Sequence, residues 1–208
     1  MSYPVSFEVD YAERRSRLTA FLRLILAIPL AIWSYFYGIA AYCGVVIAWF
    51  AIVITGRYPE GLYNFVAGYT RMLARTTAYA VLLCDPYPSF GGVDDPSYPV
   101  RMHFAGPLPR YSRWKTLFRA ILAIPIWILR YATNLLLEIA SFAAWLVILV
   151  TGKLPRGLFE VLEFAVSYAA RSDAYLFLLT ESYPPFEEAH TPFVGIDPQP
   201  VPGSGQVI

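Results

Sequence analysis

Charged residues are scarce in this 208-residue sequence. They make up 15% of the chain, whereas an average soluble domain contains about 25%. Hydrophobic residues make up 57% and aromatic residues 17%, and the mean hydropathy is +0.49. A soluble domain of this size could not cover so much apolar surface with so few charges, and a disordered chain would be far more polar. The composition therefore favours an integral membrane protein.

Clusters of basic, metal-binding or redox-active residues are missing as well. The net charge is +1 and no more than two basic residues are adjacent, which gives no indication of nucleic-acid binding. The two cysteines, Cys43 and Cys84, and the two histidines, His103 and His190, are widely separated, whereas a metal or redox site needs clustered ligands. Nucleophile motifs and phosphate-binding loops are also missing. We therefore expect no cofactor, no metal and no enzymatic activity.

An internal repeat organises the chain. Aligned to itself with an offset of 96 residues, the sequence gives three matching blocks, with six identities in nine residues, eight in eighteen and eight in sixteen. Because arginine, proline, glycine and threonine match as well as the apolar residues do, shared composition does not explain the agreement. The blocks are FLRLILAIP (21–29) with LFRAILAIP (117–125), AWFAIVITGRYPEGLYNF (48–65) with AWLVILVTGKLPRGLFEV (144–161), and RTTAYAVLLCDPYPSF (75–90) with RSDAYLFLLTESYPPF (171–186).

The repeats occupy residues 1–95 and 96–186, and a tail rich in proline and glycine, 187–208, follows them. We expect this tail to be flexible. Each repeat opens with alternating apolar and polar residues, over 5–9 and again over 100–104. An alternation with period two predicts a short strand, and the two strands could pair with one another.

A 39-residue apolar run follows the strand in each repeat, over 18–56 and 114–152. As one helix, such a run would be about 58 Å long, roughly twice the ~30 Å thickness of the hydrocarbon core. The middle of the second run contains Arg130 and Glu138. Two ionised groups in the centre of a bilayer would cost several kcal/mol, so a straight helix across the membrane is unfavourable.

Turns near Gly38 and Asn134 would resolve this conflict. They would give each repeat a transmembrane helical hairpin of two short helices; a shallow re-entrant hairpin is the alternative. The runs end in Thr-Gly and are followed by proline, which is typical of one helix ending and another beginning. The next segments, 59–83 and 155–179, have one apolar stripe and central charges, which predicts an amphipathic helix packed on its own hairpin at the membrane interface. A third membrane crossing in each repeat is the alternative.

The predicted fold is therefore an all-α membrane protein with two tandem repeats, each a short strand, a transmembrane helical hairpin and an amphipathic interfacial helix. Fifteen of the sixteen lysines and arginines fall outside the predicted hairpin turns, so the positive-inside tendency places both termini in the cytoplasm. The start of the chain does not resemble a secretory signal peptide. We expect the first apolar run to stay in the membrane.

Three motifs carry a family resemblance. RLILAIP begins at Arg23, AWFAIVITGRYPEGL begins at Ala48 and YPPF begins at Tyr183. Together they resemble the bacterial membrane family DUF4389, a domain of unknown function, and both halves of the chain look like copies of it. The first copy departs from the pattern by ending in YPSF, and the second by carrying charges inside its apolar run. The resemblance implies a multi-pass protein of the bacterial inner, cytoplasmic membrane, and it supplies no catalytic residue.

The repeated arginines Arg23 and Arg119 are the main candidates for a site. A guanidinium can hold a lipid phosphate with two hydrogen bonds. Alternatively, these arginines reach the interface or pair with the repeated acids Asp85 and Glu181, and so fix the fold. Further candidate lipid-phosphate contacts are the basic residues that precede the apolar runs: Arg14, Arg15, Arg17, Arg113 and Lys115.

The sequence thus predicts a non-catalytic scaffold or accessory subunit in the membrane. Its partners would be membrane lipids, anionic ones included, and another membrane protein or a second copy of the chain; nucleic acid is not expected. One alternative is a hairpin protein that shapes membrane curvature. A second alternative is lipid transport or modification, which would require a polar cleft between the two repeats.

Overall fold

The computed structural model describes residues 3–186, so the predicted tail, 187–208, lies outside the described residues. The described chain is mainly helical, and each half consists of a strand followed by helices. The elements are β1 (Val5–Val9), α1 (Arg17–Thr55), α2 (Glu60–Ala80), β2 (Val100–Phe104), α3 (Arg113–Leu117), α4 (Arg119–Leu122), α5 (Ile124–Thr151) and α6 (Arg156–Leu176).

Helix α1 is one unbroken helix of 39 residues, so the predicted hairpin turn near Gly38 is wrong. Gly38 allows a close approach instead of a turn: a Cβ atom there would lie 2.8 Å from the hydroxyl oxygen of Tyr69 in α2. The helix begins after the N-cap Ser16, whose hydroxyl accepts a hydrogen bond from the Thr19 amide. It ends at Gly56, whose φ of 74° is the left-handed conformation that glycine adopts at low cost.

The second apolar run is divided, but its breaks lie near Phe118 and Ala123, between α3, α4 and α5, and not near Asn134. The second break directly precedes Pro125, which lacks an amide hydrogen and clashes with the preceding turn of a helix. In the first repeat, α1 continues through the matching Pro29. From Ile124 to Thr151 the helix is continuous, so the second predicted hairpin is wrong as well.

Helices α2 and α6 lie close to the predicted segments, and each packs on the long helix of its own repeat. Their predicted place at the membrane interface stays a prediction, but their packing is more extensive than that of a surface helix. Most of their residues are buried, including Tyr69 and Arg75 in α2 and Tyr168 and Arg171 in α6. The two helices also pack on each other across the repeats. They form the centre of the molecule, because they are covered on two sides by other elements.

The two short strands pair with each other, one from each repeat. They run antiparallel, with Val5 opposite Phe104 and Val9 opposite Val100. This β-ribbon covers α2 and α6 on the side away from the long helices. The side chains of Arg71 and Arg75 in α2 hold it there, since their Nε atoms donate to the carbonyl oxygens of Met102 and Val100 at 3.0 and 3.2 Å.

The molecule therefore has three layers: the long helices, the central helices α2 and α6, and the β-ribbon. The long helices are antiparallel, because each begins where the other ends. The Arg15 amide, just before α1, donates to the Gly152 carbonyl after α5 at 2.9 Å. The Tyr111 amide, just before α3, donates to the Gly56 carbonyl after α1, also at 2.9 Å. An approximate two-fold axis perpendicular to the layers thus relates the repeats.

The contact between α2 and the loop after it leaves no room at Gly92. A Cβ atom there would overlap the Gly68 carbonyl group, whereas one at Gly91 would meet only ordinary contacts near 3.9 Å. We expect Gly92→Ala to lower the free energy of unfolding by about 2 kcal/mol, since it overfills a packed site, and Gly91→Ala to leave it nearly unchanged. Thermal unfolding of both variants in the same detergent measures this difference; equal melting temperatures would contradict it.

Candidate functional site

The long helices expose an apolar face along their whole length. In α1 a stripe of mostly small residues is buried against the rest of the molecule, while large apolar side chains point outward. Helix α5 also points large apolar side chains outward, while its buried side combines Thr133, Ala140 and Ala144 with larger apolar residues. Both helices are long and apolar enough to cross a membrane. We call their outward side the apolar layer; its members include Ile25, Ile32, Ile39, Phe50, Ile54, Ile128, Leu135, Ile139, Leu146 and Val150.

The opposite face of the molecule, formed by the β-ribbon, is charged. The side chains of Glu8 and Asp10 are 41% and 59% exposed there. The Arg101 guanidinium donates to both carboxylate oxygens of Asp10 at 2.7 and 2.8 Å, and this hydrogen bonding lowers the pKa of Asp10. The polar and apolar faces are therefore separated by the thickness of the three layers and not by the length of the helices.

Arg23, a predicted phosphate contact, is 2% exposed and faces the interior. Its Nη1 donates to the Cys84 carbonyl at 3.0 Å, its Nη2 donates to Asp85 at 2.9 Å, and its guanidinium lies 4.1 Å from the ring centroid of Tyr79. Asp85 also accepts a hydrogen bond from the Ser16 amide, at the start of α1. Arg23 therefore fastens the end of α2 to the start of α1, which corrects its assignment to lipid phosphate.

Arg119 makes the equivalent arrangement in the second repeat. Its Nε and Nη2 donate to the Tyr175 carbonyl, Nη2 also donates to the Thr180 carbonyl, and its guanidinium lies 3.5 Å from the centroid of the Tyr175 ring. The predicted partner acid, Glu181, instead accepts a hydrogen bond from the Ser112 amide before α3. Within residues 3–186, Arg119 therefore has no direct carboxylate contact like the one that neutralises Arg23.

The remaining basic candidates divide into one buried and four exposed residues. Arg15 is buried, and its Nη2 donates to the Leu83 carbonyl at 2.7 Å. Burial lowers the pKa of Arg15, and its inward position corrects its assignment to lipid phosphate. The exposed residues lie at the two ends of the apolar layer, where one long helix begins beside the end of the other. They are Arg14 and Arg17 at one end, and Arg113 and Lys115 at the other.

Arg130 pairs with Asp173 of α6 through a bidentate contact of its two Nη atoms. Both side chains are mostly buried, at 20% and 11% exposure. The pair explains why a charged residue in the middle of an apolar run needs no turn, because its counter-charge lies on the neighbouring helix. Asn134 and Glu138 follow Arg130 at intervals of four residues, and both are exposed on α5.

Two cavities, related by the approximate two-fold axis, lie between the repeats. The smaller, of about 270 Å³, is lined by Arg23 and by Trp145 of the other repeat. The larger, of about 590 Å³, is lined by the equivalent Arg119 and Trp49, and in addition by Arg130 and Asp173. Both cavities are lined mainly by apolar side chains, and the larger one adds a buried charged pair to its arginine.

The sequence alone presents Arg130 as a sign of a turn and does not show that Asp173 is its partner. A signal was present in the repeat itself. At the offset of 96 residues, Arg130 aligns with Ser34 and Asp173 aligns with Thr77. Two hydroxyl residues in one copy are thus replaced together by two opposite charges in the other. Such a joint replacement indicates that the two positions are in contact.

The Arg130–Asp173 pair yields a direct test of this contact. Arg130→Ser should lower the free energy of unfolding by about 3 kcal/mol, because it leaves a buried carboxylate without its partner. The double variant Arg130→Ser/Asp173→Thr restores the residue types of the first repeat and should recover most of the loss. Thermal unfolding of Arg130→Ser, of Asp173→Thr and of the double variant completes a double-mutant cycle, which measures the interaction between the two residues. Additive losses would contradict the pairing.

Comparison with known proteins supports the repeat. The family model described as "Domain of unknown function (DUF4389)" matches residues 17–91 and again residues 113–187, which together make up more than half of the chain. The resemblance to two tandem copies is thereby confirmed. No curated protein and no solved structure matches the chain. The chain therefore belongs to the DUF4389 family and consists of two copies of its domain.

Proposed function

We propose that this protein is a non-catalytic membrane protein of the bacterial cytoplasmic membrane that binds lipid through its apolar layer and acts there as a scaffold or accessory subunit. The observation that carries the proposal is the continuous outward apolar face of α1 and α5 on one side of a molecule whose other side is charged. Apolar surface on this scale is unfavourable in water and favourable in hydrocarbon.

The same geometry favours long helices that lie in the plane of the membrane. If α1 and α5 crossed the bilayer, the charged β-ribbon would lie midway between their ends, at the depth of the hydrocarbon. Exposed carboxylates such as Glu8 and Asp10 would be very costly there. If the helices lie flat, the apolar layer enters one leaflet and the ribbon stays in water. The multi-pass arrangement of the sequence analysis also depended on hairpin turns that are absent from the described chain.

The exposed cations fit this orientation. Arg14 and Arg17 lie at one end of the apolar layer, and Arg113 and Lys115 lie at the other. With flat helices, both groups reach the head groups of the same leaflet, where basic side chains attract anionic lipids. On the cytoplasmic leaflet this orientation keeps both termini in the cytoplasm, as the positive-inside tendency predicts. In a crossing orientation, the two groups would lie on opposite sides of the membrane.

Depth measurements by electron paramagnetic resonance test the proposal. Ile25, Cys43 and Ile54 lie along one outward line of α1 and span about 44 Å at 1.5 Å per residue. We would place single spin labels at Ile25→Cys, at native Cys43 and at Ile54→Cys, with the other cysteines replaced by alanine. Accessibility to oxygen and to a water-soluble nickel complex reports the depth of each label. We expect three similar depths inside the hydrocarbon.

A label at Glu8→Cys on the β-ribbon is the control and should be exposed to the nickel complex. Depths that peak at Cys43 and fall toward both ends would show a helix that crosses the bilayer, and full nickel exposure at all three positions would contradict membrane insertion. The native Cys84 is a poor target for labelling, since it is buried and desolvation raises its thiol pKa.

Membrane shaping is a second candidate function, favoured by the placement of both long helices in one layer. Two helices inserted into a single leaflet add area to that leaflet and favour curvature. We expect vesicles of anionic lipid to become smaller or tubular when the purified protein is added at high surface density, as measured by electron microscopy. Vesicles that keep their size and shape at saturating protein would reject shaping and leave lipid binding intact.

A further inference from the structure

We propose that the larger cavity between the repeats binds one anionic amphiphile, a carboxylate or phosphate group on a hydrocarbon chain. Its head group would lie at Arg119 and Arg130, and its chain would lie between Trp49 and Trp127. The inference rests on the proposed function, because the ligand enters from the lipid that covers the apolar layer. It goes beyond general lipid binding by naming a specific site and the chemistry of its ligand.

The shape of the cavity suits such a ligand. Its volume of about 590 Å³ lies within the range of about 300–1,000 Å³ that is typical of small-molecule sites. One wall is formed by α1 and the other by the α3–α5 run, while α6 provides the floor. Tyr42 and Trp127 at its rim are mostly exposed on the apolar layer. A hydrocarbon chain could therefore enter sideways from the leaflet without passing through water.

The charges of the floor favour an anion. Two guanidinium groups, Arg119 and Arg130, and one carboxylate, Asp173, line the cavity, and Asp173 already pairs with Arg130. Arg119 is 6% exposed and its hydrogen bonds within the described chain use Nε and Nη2, which leaves Nη1 for a ligand. Glu181 acts on Arg119 electrostatically but is held at the Ser112 amide and does not line the cavity.

A cation beside hydrocarbon is costly when no carboxylate contacts it directly, and among residues 3–186 Arg119 has only the more distant charge of Glu181. An anionic head group at this position would supply a contacting counter-charge, and its chain would fill the apolar part of the cavity. A neutral amphiphile would fill the same volume without supplying that charge. Charge complementarity therefore selects an anionic ligand over a neutral one of the same length.

The smaller cavity provides an internal control. It has less than half the volume, and its arginine, Arg23, is neutralised by Asp85 at 2.9 Å. The positions of Arg130 and Asp173 are taken in the first repeat by Ser34 and Thr77. Neither the space nor the net charge for an anionic amphiphile is present there. The two equivalent cavities therefore differ: the larger one has the volume and the net positive charge that an anionic amphiphile needs, and the smaller one has neither.

Native mass spectrometry of the full chain in detergent tests the proposal. The probes are oleate, dioleoylphosphatidylglycerol and the neutral oleyl alcohol. We expect one saturable anion per chain, with a dissociation constant at least tenfold lower for one of the two anionic probes than for oleyl alcohol; the better anionic probe identifies the head group. Equal affinity for oleyl alcohol and both anions, or no saturable binding of any probe, would overturn the proposal.

Matched variants locate the site. Ala120 lines the larger cavity and its equivalent Leu24 lines the smaller one, and both side chains are exposed, so that a larger side chain does not disturb the interior. Ala120→Trp should weaken binding of the anion at least tenfold, whereas Leu24→Trp should leave it unchanged. Thermal unfolding confirms that both variants are folded. Equal effects of the two variants, or no effect of Ala120→Trp, would overturn the location.

A failure of the cavity site can be distinguished from a failure of the proposed function. Flotation with anionic vesicles reports insertion of the apolar layer and does not depend on the cavity. Wild-type protein that floats with vesicles but shows no saturable ligand would overturn the cavity site and leave the proposed function standing. Protein that does not float with vesicles would overturn the proposed function itself. Ala120→Trp should float as the wild type does.

Discussion

The close packing of the long helices on the central helices is the contact on which the rest of the structure depends. In α1, the buried stripe consists largely of small residues, among them Ala20, Gly38, Ala41, Gly44 and Ala48. Small side chains let helix backbones approach closely, so α2 can bury most of its own surface against α1. Because the small residues face inward, the large apolar side chains of α1 must face outward. The apolar layer is therefore a direct consequence of how the core is packed.

The arginine contacts stabilise this arrangement at the ends of the helices. Arg23 and Arg119 each reach from the start of a long helix to the carbonyl groups that follow α2 or α6. Those carbonyl groups would otherwise be unsatisfied at the end of a buried helix, which is unfavourable. A guanidinium can serve several acceptors in one plane and can stack on an aromatic ring at the same time. The repeated Arg and Tyr residues of the two copies are explained by this single requirement.

The sequence predicted the repeats, both strands and the two central helices, because each depends on local periodicity or on a direct comparison of the two copies. It did not predict that the apolar runs continue as long helices past Gly38 and Asn134. The hairpin turns near Gly38 and Asn134 followed from the assumption that each run must cross the bilayer. That assumption treated Arg130 as a charge without a partner, and the partner, Asp173, is 43 residues away in sequence. Pairing over such a distance is a tertiary property that helical periodicity cannot reveal.

The two-fold axis makes the differences between the copies more informative than their similarities. Features present in both copies, such as the glycine caps after the long helices and the arginine contacts, lie where the fold needs them. Arg130 and Asp173 occur in one copy only, although the first copy makes the same packing of a long helix on a central helix with Ser34 and Thr77. The fold therefore does not require the charged pair. A buried pair that costs desolvation and that the fold can do without is better explained by binding than by stability, and its place at the floor of the larger cavity agrees with that explanation.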